Sequence, residues 1–195
     1  MADDTFDAAD CVARVSRGDA AAFRQLVDRT YPLVARIVRS HLSPAHDRAA
    51  CEQETFLRIY RRIDQYRNDA PLEHWIARIA VNCCLDALRT NKRKRELRYS
   101  DLGVHECQAL EASLAETSSQ EAVDGTAAAE LVSHVLDALE PEDAVLIRLH
   151  DLEEQSLAET AATLGWSISW TKTKLARARG RLKTQLEALL GERRR

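Results

Sequence analysis

Apolar residues recur at helical spacing along most of this chain. In "GDAAAFRQLVDRTYPLVARIVRSHL" the positions Phe23, Leu26, Val27, Tyr31, Val34, Ile37 and Val38 make one stripe, and Gly18-Asp19 ahead of them reads as a helix cap. Pro32 within the stripe is expected to bend or split the helix, because it removes a backbone donor. A second stripe, Cys51, Phe56, Ile59, Tyr60 and Ile63, follows Ser43-Pro44, with the proline at a first-turn position. A third runs through Leu72, Trp75, Ile76, Ile79, Ala80, Cys83 and Leu88, behind Asp69 as cap and Pro71 just inside. With a short helix around Ala8–Arg17, these stretches predict one all-helical domain over residues 1–98.

The periodicity lapses over residues 99–130, where Ser, Thr, Ala and Glu dominate. This segment reads as a mobile acidic linker that solubilises, with the sharper alternative that it covers a basic surface. A second helical domain is expected over 131–195. In it Ser156 and Glu159 stand at capping-box spacing, and Ala158, Ala161, Ala162 and Leu164 give a short helix with small contacts. Gly165 then permits a sharp turn, and Ser167 or Ser169 can cap a longer helix. Short helix, glycine turn and long basic helix form a helix-turn-helix pattern. Ile168, Leu175, Ala178, Leu182, Leu186 and Leu189 are expected to face inward along the long helix. The fold class is therefore all-α: two small domains joined by a flexible acidic linker, the C-terminal one a helix-turn-helix.

Composition supports this without adding detail. The 195 residues include only 6 Gly and 4 Pro, which favours helices. Aromatics are 5%, so the cores must be mostly aliphatic. No apolar run approaches the roughly 20 residues of a bilayer span, and the acidic start lacks a signal core, so a cytoplasmic protein is expected. Five cysteines, an odd number without C-x-x-C spacing, fit a reducing compartment and read as small buried hydrophobes. The alternative is a redox or metal role for His105 with Cys107, or for His46 with Cys51. Two ligands do not make a zinc site, and nothing in the sequence requires a cofactor.

Charge changes the picture more. The net charge is −3, yet residues 87–98, "ALRTNKRKRELR", hold six cations and one acid, and 166–195 hold nine and two. Between them, 99–165 hold one cation and 15 acids. Such segregation suggests two surfaces that meet a polyanion. A major groove admits one helix whose flanking cations meet phosphates while residues near its start approach base edges. Ser169, Trp170, Thr171, Lys172 and Lys174 are then candidate readers, and Arg177, Arg179 and Arg181 candidate phosphate contacts. The first basic block, Arg89 to Arg98, is either a solvated helix end that suits the dipole or a second DNA-contacting surface.

Four patches stand out together: "QETFLRIYRRIDQYR", "HWIARIAVNCCLDALR", "ALEPEDAVLIRLHDLEEQSLAETAATLG" and "SWTKTKLARARGRLK". In this order they resemble the extracytoplasmic-function (ECF) group of bacterial RNA polymerase sigma factors, within the sigma-70 family, and the likeness covers residues 10–95 and 132–188. The resemblance implies region 2 over 1–98, binding core polymerase and reading and melting the minus-ten element, and region 4 over 131–195, reading the minus-thirty-five element. Asp47, Gln53, Glu54, Phe56 and Arg58 fall on the polymerase-binding pattern, directed at the clamp helices of the largest subunit. Asn82, Asp86 and Arg89 fall on the minus-ten pattern, and the following cations Lys92 and Arg93 would track the opened strand. Lys172, Lys174, Arg177 and Arg179 fall on the minus-thirty-five helix. Asn82 offers both donor and acceptor, which suits a base flipped from the stack, whereas Trp75 reads as core.

The chain departs from the pattern in places. Ala49 and Ala50 stand where an acidic pair is usual, Glu52 replaces an aliphatic residue, and Trp170-Thr171 replaces Thr-Val. The implied partners are core RNA polymerase, promoter DNA and, by analogy alone, an anti-sigma factor. The implied function is transcription initiation, not enzymatic catalysis. A polymerase-independent helix-turn-helix regulator is the alternative, and a helical adaptor with two solvated basic surfaces is a third reading.

Overall fold

The computed structural model describes residues 6–101, 132 and 135–192. Apart from its first three positions, the expected linker lies outside them, as do His105 and Cys107. Every regular element among the described residues is helical. The chain forms two units, one of the residues up to Ser40 with Asp47–Cys84, the other of His41–His46 and the residues from Leu85 on.

In the first unit, α1 (Ala8–Ser16) starts at Asp7, whose carboxylate accepts from the Ala9 and Asp10 N–H groups. Asp19 does the same for α2 (Ala20–His41), taking the Ala21 and Ala22 N–H groups at 2.8 and 3.0 Å. Gly18 supplies the positive φ, 86°, of the turn between the two helices. Of the two effects expected of Pro32, the split does not occur: α2 runs unbroken through it. The proline frees the Asp28 carbonyl, and Pro32 is exposed, so water can take up the lost bond. Helix α3 (Arg48–Arg62) begins four residues beyond Pro44, because Asp47 caps it by accepting from Ala50 N–H at 2.9 Å. A 3-10 turn, Ile63–Gln65, ends it. The long α4 (Leu72–Asp101) starts just after Pro71, whose carbonyl accepts from His74 and Trp75. Leu26, Val34, Val38, Ile59, Leu72, Ile76 and Ala80 are buried to near zero exposure, as the stripes require. Tyr31 and Tyr60 instead reach solvent from their stripes. Tyr31 donates its hydroxyl to Glu52 at 3.0 Å, and Tyr60 packs edge-on to Phe23.

In the second unit, α5 (Pro141–Ile147) runs into a π-helical turn, Arg148–Leu152. Then come α6 (Leu157–Leu164) and α7 (Ile168–Glu192). Leu136, Ala144, Ile147 and Ala178 form a buried cluster that Leu139 and Leu182 edge. The inward stripe of α7 begins at Thr171, not at Ile168. Ile168 is 55% exposed in the opening turn, while Thr171 is buried and donates its hydroxyl to the Ser167 carbonyl at 2.9 Å. That bond removes the cost of burying the hydroxyl, so threonine can serve as a small core residue.

His41, also in this unit, is fully buried, with the Glu153 carboxylate 3.4 Å from Nε2. Burial, reinforced by the Arg148 charge, pushes its pKa down to about 3. The folded ring is neutral, whereas the unfolded chain protonates it below about pH 6.5. The unfolded state therefore binds more protons between about pH 6.5 and 3, and stability falls as pH drops through that window. Between about pH 6.5 and 5 the loss is expected to reach about 2 kcal/mol. Denaturant titrations at a series of pH values check this, with His41→Gln expected to flatten the slope.

Candidate nucleic-acid interface

The capping box forms. Ser156 Oγ accepts from Glu159 N–H at 3.2 Å, and Glu159 Oε2 accepts from Ser156 N–H at 2.9 Å. This fixes where α6 starts, and Gly165, left-handed at φ 71°, fixes where it stops. Ser167 Oγ then accepts from Trp170 N–H at 3.2 Å and starts α7. Three local devices thus set the angle at which α7 leaves α6.

On α7 the candidate residues divide by exposure. Ser169, Trp170 and Lys172 are exposed in the first turns, and Arg177 is exposed further along. Trp170, at 48% exposure, stands edge-on to Trp166 at 4.5 Å, with the Lys174 ammonium 5.8 Å from its ring centre. Lys172 and Arg177 have no acidic partner among the described residues. The other cations do. Lys174 Nζ lies 2.9 Å from Asp143 Oδ1, and Arg181 pairs with Asp143 Oδ2. Arg179 Nε donates to Asp151 Oδ2 at 3.0 Å, which pushes the Arg179 pKa up. Asp151 sits in the π-helical turn, which is braced by His150 Nδ1 against the Gln155 carbonyl at 2.6 Å.

The α4 block shows the same arrangement. Arg89 Nε donates to Glu142 Oε1 at 2.8 Å, with Asp86 3.5 Å from its guanidinium. Burial is the largest single influence on Glu142 and raises its pKa, but the Arg89 hydrogen bond and charge, a backbone N–H and the Lys174 charge together outweigh it, and the net shift is downward. Lys92 pairs with Glu140, which pushes its pKa up, and Arg93 is exposed. Asn82 is half-buried and donates from its amide to the Arg78 carbonyl, one turn back, at 2.7 Å.

Magnitudes separate two kinds of pair. Exposed pairs such as Arg179–Asp151 and Arg89–Glu142 are worth roughly 0–1 kcal/mol, so DNA phosphates can replace those carboxylates. Asp143 is fully buried, and its pairs are not given up so cheaply. The sequence reading missed these acids. Its only signal for them was the excess of acids over 99–165, which does not say which acid meets which cation.

On α3, Asp47 is spent as the cap, Gln53 is exposed, and Glu54 accepts from Arg58 Nε at 2.7 Å. Phe56 stacks against Tyr31 with ring centres 6.4 Å apart. The departures at Ala49, Ala50 and Glu52 leave a first turn with the cation Arg48 and no acid, followed by a Glu52–Tyr31 hydrogen bond. His46 Nδ1 bonds to Ser43 Oγ at 2.9 Å, while Cys51 lies against Cys84. Among the described residues no group of three or more His, Cys, Asp or Glu side chains is placed to hold a metal ion.

Residues 26–94 match sigma-70 region 2, and residues 129–182 match sigma-70 region 4. The chain belongs to the sigma-70 family. It is a sigma factor of the ECF group, a promoter-directing subunit of RNA polymerase. The polymerase-independent alternative leaves the region 2 match without a role. Over 182 residues this sigma factor is 29% identical to the ECF RNA polymerase sigma-E factor of Salmonella typhi, covering 92% of this chain and 94% of that one. It is 27% identical over 188 residues to the RNA polymerase sigma factor NccH of Alcaligenes xylosoxydans xylosoxydans, covering 96% and 98%. Its fold resembles that of CnrH, solved with the cytosolic domain of CnrY, with a TM-score of 0.52 and 26% identity over 91% of this chain and 96% of that one. It also resembles RpoE of Bartonella quintana, solved with the anti-sigma factor NepR, with a TM-score of 0.56 and 21% identity over 85% and 96%.

Proposed function

We propose that this sigma factor divides promoter recognition between its two helical domains, residues 1–98 working on polymerase and the minus-ten element and residues 131–195 on the minus-thirty-five element. The observation that carries this is α7, a basic helix aimed by a capping box and a left-handed glycine, in a chain with a second basic helix end on α4. In this reading Ser169, Trp170 and Lys172 face base edges, and Arg177 and Arg179 hold phosphates. Thr171, Lys174 and Arg181 hold α7 in place. On α4, Asn82 receives a flipped base, while Arg89, Lys92 and Arg93, with Asp86 beside them, guide the opened strand. On α3, Gln53, Glu54, Phe56 and Arg58 face the clamp helices, and Asp47 fixes where that helix starts.

The protein acts by binding and positioning, with no reaction of its own. Flipping costs a few kcal/mol per base, which docking on polymerase helps to meet. No helix among the described residues is long and apolar enough to cross a membrane, and we place the protein in the cytoplasm with polymerase. An anti-sigma partner belongs to the same reading, since the CnrH and RpoE structures each hold a second protein.

Size fractionation with core polymerase and promoter DNA tests this. The chain is expected to elute with core and to protect two separated elements of the promoter. Elution apart from core would overturn the reading. Within that complex, Arg177→Ala is expected to weaken promoter binding and to lower the slope of log affinity against log salt by about one phosphate contact. An unchanged slope, measured by filter binding across salt concentrations, removes Arg177 from the phosphate set.

A further inference from the structure

The first unit holds a thiol pair for which promoter recognition has no use. Cys51, in the first turn of α3, and Cys84, in α4, bring their Sγ atoms to 3.8 Å across 33 positions of sequence. Both are free and buried; Cys84 has no exposure, while Cys51 keeps 6% and so touches solvent. We propose that Cys51 and Cys84 form a reversible disulfide that ties α3 to α4 and lowers docking on polymerase, making this unit a thiol-oxidation switch. The effect on docking rests on the function proposed above; the bond itself does not.

The sulfurs are already in contact, and a disulfide is about 1.8 Å shorter than their present separation. The two thiols are not equivalent. The hydrogen bond from Cys84 lowers the Cys51 pKa in spite of burial, and the Arg58 charge adds to this. The same bond, with burial, pushes Cys84 up. Cys51 is thus the side that gives up its proton more readily, and Cys84 the side that holds it.

Hydrogen peroxide is an oxidant small enough to reach the buried Cys51, a residue only 6% exposed, through local opening of the unit. The Cys51 thiolate attacks one peroxide oxygen and breaks the O–O bond. The departing hydroxide takes a proton and leaves as water, and Cys51 becomes a sulfenic acid. The Cys84 sulfur then attacks the Cys51 sulfur and breaks its S–O bond. That hydroxyl leaves as a second water with the Cys84 proton, so two thiols and one peroxide give one disulfide and two waters.

The position makes the bond consequential. Cys51 lies two residues before Gln53 on the helix that carries Glu54, Phe56 and Arg58, and Cys84 lies midway between Asn82 and Asp86. Closing the sulfurs shifts these two sets of residues against each other. Close packing around the fully buried Thr55, whose hydroxyl donates to the Cys51 carbonyl at 2.8 Å, transmits the shift along α3.

The test oxidises the purified full chain with hydrogen peroxide, alkylates remaining thiols, and maps peptides by mass. One crosslink joining Cys51 to Cys84 is expected, with an intact mass about 2 Da lower, reversed by dithiothreitol. Cys83→Ala should keep the crosslink, and Cys51→Ser and Cys84→Ser should each lose it. With core polymerase, oxidised protein should direct about tenfold less promoter transcription than reduced protein, recovering on reduction. Alkylatable Cys51 and Cys84 after oxidation, or a crosslink elsewhere, overturns the disulfide, whatever the serine variants do. A crosslinked chain as active as the reduced one overturns the switch. A crosslink in a chain whose reduced form directs no transcription contradicts the proposed function, and the docking effect with it.

Discussion

Asp143→Ala is expected to destabilise the second helical domain by about 3–5 kcal/mol, more than any single change on its surface. The carboxylate has no solvent exposure and faces two cations, Lys174 and Arg181. Truncation takes from the Lys174 ammonium, whose side chain is only 19% exposed, its directly paired carboxylate, and leaves only the weaker pull of Glu142. Losing the partner of a buried charge costs more than the intact pair contributes, because the remaining ion stays desolvated. Arg181, with a side chain half in water, can rehydrate, so Arg181→Ala should cost less. Urea titrations of the three proteins give the order wild type, Arg181→Ala, Asp143→Ala. Equal midpoints for wild type and Asp143→Ala would show that the buried carboxylate holds nothing in place.

Asn82→Ala is expected to slow promoter opening by about 10- to 100-fold while leaving polymerase binding unchanged. A side chain that donates to and accepts from one base is worth about 1–3 kcal/mol of recognition. In the free protein its amide donates to the Arg78 carbonyl, a bond within one helix that costs little to exchange for a base. Asn82 is half-buried, so its loss should barely change stability. Permanganate reactivity of unpaired thymines near the start site reads opening directly. Normal opening by the variant would remove Asn82 from the minus-ten contacts.

What the sequence made legible was local. Asp19, Ser156, Glu159 and Gly165 each act within four residues of themselves, and each does what its type and spacing predict. The apolar stripes were legible because burial repeats at the helical period. The failures have the opposite character. Asp143 and Arg181 meet across 38 positions, and no spacing rule relates them. The start of α3 at Arg48 turned on a choice between two good starters, Pro44 and Asp47, which the side-chain bond of Asp47 decides. Ile168 lost its inward place to Thr171 because a hydroxyl bonded to its own helix can be buried. The continuity of α2 through Pro32 depended on that face being exposed. The pairing of α3 and α4 that brings Cys51 to Cys84 is likewise a product of packing, not of spacing.

Transcription by the purified chain with core RNA polymerase on a library of promoter fragments tests the central claim most directly. Discrete transcripts are expected whose start sites share two elements upstream, and they should vanish when either core or this chain is omitted. Sequence-specific DNA binding by the chain alone, with no transcripts when core is added, would contradict the account.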